Sequence, residues 1–335
     1  MGYPLASVVI VNWNGIRVLN KCLAALEQQA FSDFEILIID NGSTDGSLEA
    51  LRTSRPQVSI RSLPNNLGFA AANNLGFQMA RGKWIAPLNN DAFPETGWLA
   101  SLLQAAEQSS EFSFFASCLL SQNDPSRIDG LGDIYHVSGM AWRKGHGESL
   151  RPADALPSEV FGPCAAAALF QRDQVLDAGG FDEAFFCYHE DVDLAFRLRL
   201  LGYRCLYVPE ARVIHQGSSS HGPRSDFVLY HGHRNLVWTY LKNMPPHLFT
   251  RYLPLHFFLN LATLFWFTAR GQGRPIFRAK WDALRGLPRV WGQRKRIQER
   301  CRVSSSAIDR ILDRDWRNPY KDVFLRRKHS RPSAS

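Results

Sequence analysis

The sequence has few of the features that mark a secreted, disulfide-bonded or zinc-binding protein. Its six cysteines are widely spaced along 335 residues and none forms a C-x-x-C pair, which argues against a disulfide framework or a zinc site and predicts a reducing compartment. The first residues lack a basic region followed by an apolar run and a small-residue cleavage site, so we expect a strand there and not a signal peptide. Ala6 stands where N-myristoylation needs Ser or Thr.

Two common phosphate-binding motifs are also missing. No G-x-G-x-x-G follows the first predicted strand, which weakens a dinucleotide-binding interpretation. No G-x-x-x-x-G-K-[ST] occurs, which excludes a P-loop. A nucleotide site in this chain must therefore be built in another way.

The net charge of +8 is unevenly distributed. Residues 242–335 hold 21 Lys and Arg against 6 Asp and Glu, a net of +15, which leaves −7 for residues 1–241. This split predicts an acidic body and a basic tail. A basic tail can bind nucleic acid, but the sequence has no recognised base-reading module, so nucleic acid is not an expected partner.

Strand and helix patterns alternate through the first 90 residues. Continuous apolar runs predict strands at 7–11, 35–40, 58–63 and 83–88, and helical spacing predicts helices at 18–26, 48–52 and 69–80. Such alternation is typical of a parallel sheet, which binds ligands at the carboxyl ends of its strands. Polar clusters follow three of the strands, at Asn12-Trp13-Asn14, Asp40-Asn41-Gly42-Ser43 and Asn89-Asn90-Asp91, and predict a nucleotide site.

Asp40 is the candidate residue for recognising the base. A carboxylate at a strand end can accept the imide N–H of uracil or thymine, and the Gly42-Ser43 turn lets the chain pass close to the ring. The alternative is that this segment forms a helix N-cap, because Ser43 or Thr44 can cap the next predicted helix.

The middle of the chain is less informative. Residues 121–158 form a polar, glycine-rich excursion between predicted strands at 112–120 and 164–170. The composition suits either an acceptor-facing insertion or a variable surface loop, and both remain open.

The stretch 179–202 concentrates acids where a helix begins. An aromatic run leads directly into Glu190, Asp191 and Asp193, after which leucines recur at helical spacing. One interpretation is that acids favour the positive end of the helix dipole and that Asp193 pairs with Arg197. The other is that carboxylates beside apolar surface have raised pKa values, in the range of a general base.

The same stretch resembles a known family. The run G-G-F-D-E-A-F-F-x-Y-x-E-D-V-D-L-x-x-R, followed by G-Y-R-x-x-Y-V-P-E-A-x-V-x-H, is similar to the acceptor-side motif of family 2 glycosyltransferases, specifically the rhamnosyltransferase-like branch. The resemblance covers residues 5–245 and depends on the order of several motifs. It implies a GT-A-like α/β fold with a mostly parallel nucleotide-binding sheet flanked by helices. It also implies inverting sugar transfer to a hydroxyl, with Asp191 as the general base and Glu190 as the alternative base.

The resemblance further implies a set of donor-binding residues. In similar enzymes the first acid of D-[DN]-G-S-T-D-G contacts the base, and Asp40 matches it. Ala72 stands where many members have Arg, so a basic contribution to donor binding is missing there. The residues expected to bind the nucleotide sugar are Asn12, Trp13, Asn14, Asp40, Gly42, Ser43, Asn66, Gly68, Asn73 and Asn90.

A metal site is expected at the position of the family's D-x-D motif, where this chain has Asn89-Asn90-Asp91. One carboxylate together with diphosphate oxygens suits a hard divalent cation such as Mg²⁺ or Mn²⁺. Because Asn89 replaces the first acid, the metal must depend on Asp91 and a second group. His215 is our candidate, since it ends a predicted strand and matches the family histidine; a structural role for it is the alternative.

We expect three regions along the chain. They are a catalytic domain at 1–245, divided into a nucleotide-sugar half (1–120) and an acceptor half (121–245), a helical membrane-associating region at 246–317, and a partly disordered tail at 318–335. The apolar run 253–269 is marginal for a spanning helix. Aromatic residues within 275–298 stand among dense Lys and Arg, which suits an interfacial helix on anionic lipid. The alternative is a helical hairpin packed on the catalytic domain.

The resemblance implies transfer of L-rhamnose from dTDP-rhamnose, and the basic tail favours a polyprenyl-diphosphate-linked glycan as the acceptor, in cell-surface polysaccharide synthesis. The protein would be peripheral on the cytoplasmic face of the cell membrane. A non-catalytic nucleotide- or glycan-binding member of an assembly complex is the alternative, favoured by Asn89. A nucleotidyltransferase would be expected to have a basic activating loop near the first strand, which residues 11–15 lack.

Overall fold

A computed structural model describes residues 2–55, 58–217 and 225–315, so the tail predicted to be disordered at 318–335 lies outside the described residues. The strands are β1 (Ala6–Asn12), β2 (Phe34–Asp40), β3 (Ser59–Ser62), β4 (Trp84–Asn89), β5 (Ala92–Pro94), β6 (Phe114–Ser121), β7 (Ile128–Gly130), β8 (Asp133–Tyr135), β9 (Ala141–Arg143), β10 (Ser158–Val160), β11 (Ala168–Gln171) and β12 (Cys205–His215). The α-helices are α1 (Leu19–Glu27), α2 (Ser47–Ser54), α3 (Phe69–Met79), α4 (Trp98–Gln108), α5 (Arg172–Asp177), α6 (Glu190–Leu200), α7 (Asp226–Asn243), α8 (Pro246–Thr268), α9 (Gly273–Arg285), α10 (Leu287–Glu299) and α11 (Ser305–Ile311). Short 3₁₀ helices occur at Pro152–Ala155 and Glu183–Phe185.

One large sheet organises the described part of the chain. Its strands follow the order β10-β12-β6-β11-β4-β1-β2-β3, with β5 paired to β12 and β7 paired to β6. Strands β3, β2, β1 and β4 are parallel, as the alternating pattern of the first 90 residues predicts. Strand β11 then pairs antiparallel with both β4 and β6, so the sheet is mixed on the acceptor side. The predicted α/β fold is confirmed.

Both faces of the sheet are covered, which explains why its strands read as continuous apolar runs. Successive residues of β1 point to opposite faces, so Val9 belongs to one core cluster while Val8 and Ile10 belong to the other. All three side chains are fully buried.

The register of the sheet brings the predicted polar clusters together. Asn12 at the end of β1 is paired with Asp40 at the end of β2, and Val11 is paired with Asn89 of β4. Strand β5 pairs antiparallel with the end of β12 and places His215 opposite Ala92. The ends of four strands therefore meet along one edge.

The excursion at 121–158 has defined structure. Strands β8 and β9 form a separate antiparallel hairpin, and β7 adds to the edge of β6. The strand predicted at 164–170 forms only at Ala168–Gln171, preceded by an isolated bridge between Ala167 and Leu88. Its pairing partners lie far away in sequence, and this long-range pairing sets where the strand begins.

The tail helices pack on the catalytic body. Arg289 of α10 lies 3.0 Å from Asp182, and Arg294 donates to the carbonyls of Leu241 and Met244. The segment 275–298, predicted as one helical stretch, is two helices that meet at Gly286, where a Cβ atom would lie 2.7 Å from the Trp238 ring. Packing on the body was our alternative for this region. No helix of the described residues combines the length and apolar character needed to cross a bilayer.

Candidate active site

The strand ends and the start of α6 enclose one cleft of about 460 Å³. The donor half contributes Trp13 and Asn66, and the acceptor half contributes Trp142 and Tyr188. A cleft with aromatic walls and polar groups at its base is the usual form of a small-molecule site.

The two predicted catalytic acids face this cleft from the first turn of α6. Asp191 is held from two sides, because one carboxylate oxygen accepts the N–H of Ala165 at 3.1 Å and the other accepts the N–H of Val192 at 2.8 Å. Glu190 is 5% exposed, and its Oε2 has no hydrogen-bond partner. The carboxylate of Asp191 is thus the better oriented of the two.

The electrostatics separate the roles of the two acids. Burial raises the pKa of Glu190 well above its usual range, and the charge of Asp191 adds to this effect. Burial also raises the pKa of Asp191, but the backbone N–H groups of Ala165 and Val192 oppose the rise. Two backbone N–H groups therefore favour ionisation of Asp191, whereas Glu190 Oε2 has no hydrogen-bond partner to favour its charged form.

The predicted ion pair on α6 is confirmed. Arg197 Nε lies 3.0 Å from Asp193 Oδ2, and Asp193 also accepts from Lys242 and Asn243. Lys242 in turn lies 2.6 Å from Asp182. Asp193 is fully buried, so this network fixes α6 from within the core and leaves Glu190 and Asp191 for the cleft.

A strained loop precedes the two acids. Phe186, Tyr188 and His189 all have positive φ angles, of 65°, 70° and 68°, in a region that non-glycine residues rarely adopt. The fully buried Asn235 of α7 holds this loop by donating to the carbonyls of Phe185, Cys187 and Tyr188, which lie 2.8–3.0 Å away.

Arg234 supports the same loop from the preceding position on α7. Its guanidinium donates to the carbonyls of Ala184 and Phe185 at 2.9 and 3.0 Å. The Arg-Asn pair therefore acts on the backbone that positions the acids and does not itself line the cleft.

The predicted metal-binding residues lie together at the other side of the cleft. His215 Nε2 is 3.4 Å from Asp91 Oδ1, and His215 Nδ1 is 2.7 Å from Asp129 Oδ2. Burial opposes protonation of His215, but the two carboxylates outweigh it and raise the pKa of His215 to about 9. A histidine held by a carboxylate on one nitrogen is a common arrangement for a metal ligand.

The donor set fits a divalent cation. Among the described residues no group of three His, Cys, Asp or Glu side chains is arranged to hold a metal. Asn89 is a further polar side chain at this place, because its Nδ2 lies 3.5 Å from His215 Nε2 and its Oδ1 is buried without a hydrogen-bond partner. A carboxylate, an imidazole and an amide oxygen leave positions open for diphosphate oxygens.

Arg143 joins the two sides of the cleft. Its guanidinium forms an ion pair with Asp129, behind His215. Asp133 is a buried residue of the cleft, and burial raises the pKa of its carboxyl well above the usual range. The positive charge of Arg143 opposes this rise and also the rise in the pKa of Asp191.

The predicted donor-binding residues divide into two groups. Trp13, Asn66 and Asn90 line the cleft. The others are not among the residues that line the cleft, and several of them hydrogen-bond to one another. Asn12 donates to Asp40 at 3.1 Å and accepts from Asn90 at 3.0 Å. Asp40 accepts from the Ser43 N–H at 3.2 Å, the Ser43 hydroxyl accepts from the Asn14 N–H at 2.9 Å, and Gly42 and Gly68 have positive φ angles. Their contact with a nucleotide stays a prediction.

One local prediction needs correction. Neither Ser43 nor Thr44 caps α2, which follows Gly46 without a side-chain cap, and Asp45 instead accepts the N–H of Ser47 at 3.1 Å. Asn73 donates to the Phe69 carbonyl of its own helix, and its contact with a nucleotide sugar stays a prediction. Its neighbour Asn74 makes the longer-range contacts, with the backbone of Phe181.

Sequence reasoning missed several residues at the cleft, namely Asp129, Asp133, Trp142 and Arg143. All four come from the excursion at 121–158, which has no recognisable local motif. The available signal was its richness in His, Trp and charged residues within an otherwise turn-forming stretch.

The family model described as Glycosyl transferase family 2 matches residues 7–175, and Glycosyl transferase family group 2 matches residues 139–276. An N-acetylglucosaminyl-diphospho-decaprenol L-rhamnosyltransferase from Mycobacterium tuberculosis (strain ATCC 25618 / H37Rv) is 30% identical over 253 residues, which cover 67% of this chain and 80% of that protein.

Two solved structures share the fold. GalNAc-T7 with UDP, GalNAc and Mn²⁺ superposes with a TM-score of 0.56 at 18% identity, covering 71% of this chain and 47% of that one, so this chain spans about half its length. A mannosyltransferase from Pyrobaculum calidifontis in complex with GDP-Man and Mn²⁺ has a TM-score of 0.54 at 17% identity, covering 84% of this chain and 76% of that one. The predicted GT-A-like fold is confirmed.

Proposed function

The chain belongs to glycosyl transferase family 2 and is a glycosyltransferase, and from this premise we propose that it transfers L-rhamnose from dTDP-rhamnose to a lipid-linked glycan, with inversion. The name of the mycobacterial relative supports both the sugar and the class of acceptor. The observation that carries the proposal is that one cleft holds the ends of β1 and β4, the Asp91–His215 pair and the carboxylates of α6.

Asp191 is the proposed base. Its carboxylate takes the proton of the acceptor hydroxyl while the hydroxyl oxygen attacks the anomeric carbon from the face opposite the diphosphate. The bond from the anomeric carbon to the diphosphate oxygen breaks, and the nucleoside diphosphate leaves with the electron pair. Glu190, whose pKa burial raises well above its usual range, stays the alternative base.

Asp91, His215 and the amide oxygen of Asn89 would hold a divalent cation, Mg²⁺ or Mn²⁺. When bound, such a cation stabilises the negative charge that grows on a leaving diphosphate. Asp129 orients His215 through Nδ1, which leaves Nε2 directed toward Asp91 and Asn89.

The donor is proposed to lie along the carboxyl ends of β1, β2 and β4. Trp13, Asn66 and Asn90 are available to it directly, whereas Asp40 requires the Ser43 loop to open before its carboxylate can accept the imide of thymine or uracil. Thymine and uracil present the same imide, so the choice between dTDP and UDP does not depend on Asp40.

The experiment is a donor panel with a defined acceptor. The protein is incubated with dTDP-L-rhamnose, UDP-sugars or GDP-sugars and a synthetic polyprenyl-diphosphate-linked N-acetylglucosamine, with Mg²⁺ or Mn²⁺. We expect a rhamnosylated product only with dTDP-L-rhamnose, and NMR of the product reports the anomeric configuration. Transfer only from a GDP-sugar would contradict the pyrimidine preference, and retention of configuration would contradict the role of Asp191.

The non-catalytic alternative depends on Asn89, which replaces an acid at the metal site. Donor binding by thermal shift without release of nucleoside diphosphate under any of these conditions would favour it.

We further propose that the protein works at an anionic membrane surface on the cytoplasmic side. Helix α8 has an outer face of exposed apolar side chains, including Phe257, Phe258 and Phe265, which are 61–68% exposed. Exposed arginines flank this face, and Arg270 stacks on the Trp266 ring at 3.4 Å. Such a face suits the boundary between lipid headgroups and acyl chains, where each Lys or Arg contributes about 1 kcal/mol.

Vesicle sedimentation tests this proposal. The triple variant Phe257→Ser, Phe258→Ser, Phe265→Ser should bind vesicles containing phosphatidylglycerol at least tenfold more weakly, because a buried Phe side chain contributes roughly 1.5–3 kcal/mol. Leu156→Ser is the matched control, since Leu156 is 66% exposed but lies on the catalytic body. Equal sedimentation of the triple variant and the native protein would refute the membrane face.

A further inference from the structure

Three aromatic side chains line one part of the cleft and contact one another. Phe186 and Tyr188 belong to the loop before α6, Phe227 belongs to the first turn of α7, and all three are half-buried. The Phe227 ring packs edge-on against the other two, with its centroid 6.0 Å from that of Phe186 and 6.3 Å from that of Tyr188. We call these three residues the aromatic wall.

His231 of α7 supports the aromatic wall. This side chain is 8% exposed and is not among the residues that line the cleft. Its ring stacks on Phe186 with the two centroids 5.4 Å apart, and its centroid lies 4.4 Å from that of Phe227. The wall therefore packs on a side chain that is not itself available to a ligand in the cleft.

Phe186 and Tyr188 line the cleft in spite of an unfavourable backbone conformation. Their φ angles are 65° and 70°, in a region where a bulky side chain is an outlier. Glycine adopts such angles freely, and the same stretch has Gly179 and Gly180, where φ is also positive. Strain that a glycine would relieve, when it is retained beside a cleft, is typical of residues that contact a ligand.

The location of the wall favours a ligand on the acceptor side. The donor half contributes Trp13 and Asn66 to the cleft, whereas the wall lies in the acceptor half, and Tyr188 precedes Asp191 by three residues. A pyranose ring presents C–H groups on its faces and hydroxyls at its rim, which suits an aromatic ring next to a carboxylate. A diphosphate would instead need cationic or N–H donors, which aromatic rings do not supply.

We propose that the aromatic wall binds the pyranose ring of the acceptor sugar. The C–H face of this sugar packs on Tyr188 and Phe227, and the hydroxyl that attacks is directed toward Asp191. Tyr188 and Phe227 then determine which sugar, and which of its hydroxyls, reaches the base. This inference rests on the proposed function and deepens it, because it assigns the sugar of the acceptor, as distinct from its diphosphate or lipid, to named residues.

Acceptor kinetics with the full-length protein test the aromatic wall. Phe227→Ala removes the ring that contacts both others, and its position on a regular helix leaves the residues of the strained loop unaltered. With dTDP-L-rhamnose as donor, we expect the KM for polyprenyl-diphosphate-linked N-acetylglucosamine to rise about tenfold, because a stacked ring contributes to binding throughout the reaction. Octyl N-acetylglucosaminide has the same sugar without diphosphate or isoprenoid and should show the same rise. The dissociation constant of the donor, measured by calorimetry, should stay within about twofold of the native value.

Three further variants separate the role of the rings from the stability of the fold. Tyr188→Gly removes the second ring at a position whose φ of 70° glycine adopts without strain, and it should raise the acceptor KM in the same way. Tyr188→Phe keeps the ring and should keep the acceptor KM within about twofold of the native value. Phe112→Ala truncates a half-buried phenylalanine that precedes β6 and does not line the cleft, and it should change neither constant.

Three other results would overturn the inference. If the KM rises for the polyprenyl-linked acceptor but not for the octyl glycoside, the wall binds the isoprenoid or the diphosphate. If the donor affinity falls while the acceptor KM is unchanged, the wall binds the donor sugar. Unchanged constants in both Phe227→Ala and Tyr188→Gly would mean that the rings only pack on one another.

The outcome separates from that of the proposed function, because binding of octyl N-acetylglucosaminide can be followed by saturation-transfer NMR without turnover. Native protein that transfers L-rhamnose with an acceptor KM independent of the wall overturns the wall alone. Native protein that binds the glycoside through Phe227 and Tyr188 but transfers no sugar from the donor panel overturns the proposed reaction alone.

Discussion

Asn235 offers the sharpest test of how the fold positions the base. It is fully buried, and its amide donates to three carbonyls of the loop that carries three positive φ angles. Each such angle stores about 1–3 kcal/mol of strain. In Asn235→Ala the carbonyls of Cys187 and Tyr188 lose this donor, at roughly 1–3 kcal/mol each, whereas that of Phe185 keeps Arg234. The loop is then free to relax.

We expect re-formation of the native loop to cost the variant about 3 kcal/mol, which corresponds to roughly a hundredfold lower kcat. Donor affinity should stay within twofold, because no donor-half residue is changed. Steady-state kinetics and calorimetric titration of donor measure the two effects. A shift in the acid limb of the pH–rate profile is also expected, since the carboxylate of Asp191 changes its surroundings.

Thr239→Val is the matched control. Thr239 lies one turn further along α7, is fully buried and has a hydroxyl without a partner, so an isosteric apolar side chain should leave kcat unchanged and stability equal or higher. If Asn235→Ala lowers the melting temperature but not kcat, the loop keeps its shape without this side chain and the positioning argument fails.

Three further predictions concern charged groups. Asp191→Asn should lower turnover by at least a hundredfold with donor affinity retained, whereas Glu190→Gln should cost less; the reverse order in single-turnover assays would exchange their roles. His215→Gln should lower the melting temperature most below about pH 6.5, measured against native protein in EDTA, because protonated His215 contributes fully to stability there. The difference in melting temperature should shrink as pH rises through about 9, the raised pKa of His215 in the folded protein. A difference that does not change with pH would contradict the ion pairs of His215. Lys242→Met should lower the free energy of unfolding by about 3–5 kcal/mol in urea titration, because Asp193 would be left with one fewer buried partner, and a loss below 1 kcal/mol would disagree.

The sequence predicted those parts of the site that depend on local pattern. The strand ends at Asn12, Asp40 and Asn89 follow from apolar runs of strand length, and a parallel sheet brings such ends to one edge. The Asp193–Arg197 pair follows from helical spacing alone.

The remaining parts depend on long-range pairing, which local pattern does not encode. Arg143 reaches the cleft because β9 pairs with β8 and its side chain then meets Asp129 of β7. The buried side chains of Asn12 and Asp40 hydrogen-bond to each other, and no sequence motif predicts this pairing. Position 286, where α9 ends, is a glycine because the Trp238 ring occupies the space of a Cβ atom.

The contact between Gly68 and Phe186 has a consequence for how such chains can diverge. A Cβ atom at position 68 would lie 2.6 Å from the ring and carbonyl of Phe186, at a φ of +90°, and the Phe186 carbonyl accepts the N–H of Ala70. Any larger residue at 68 thus displaces the loop before the proposed catalytic acids. We expect a substitution at position 68 to be tolerated only together with a compensating change in the loop around residue 186, which couples the two halves of the cleft.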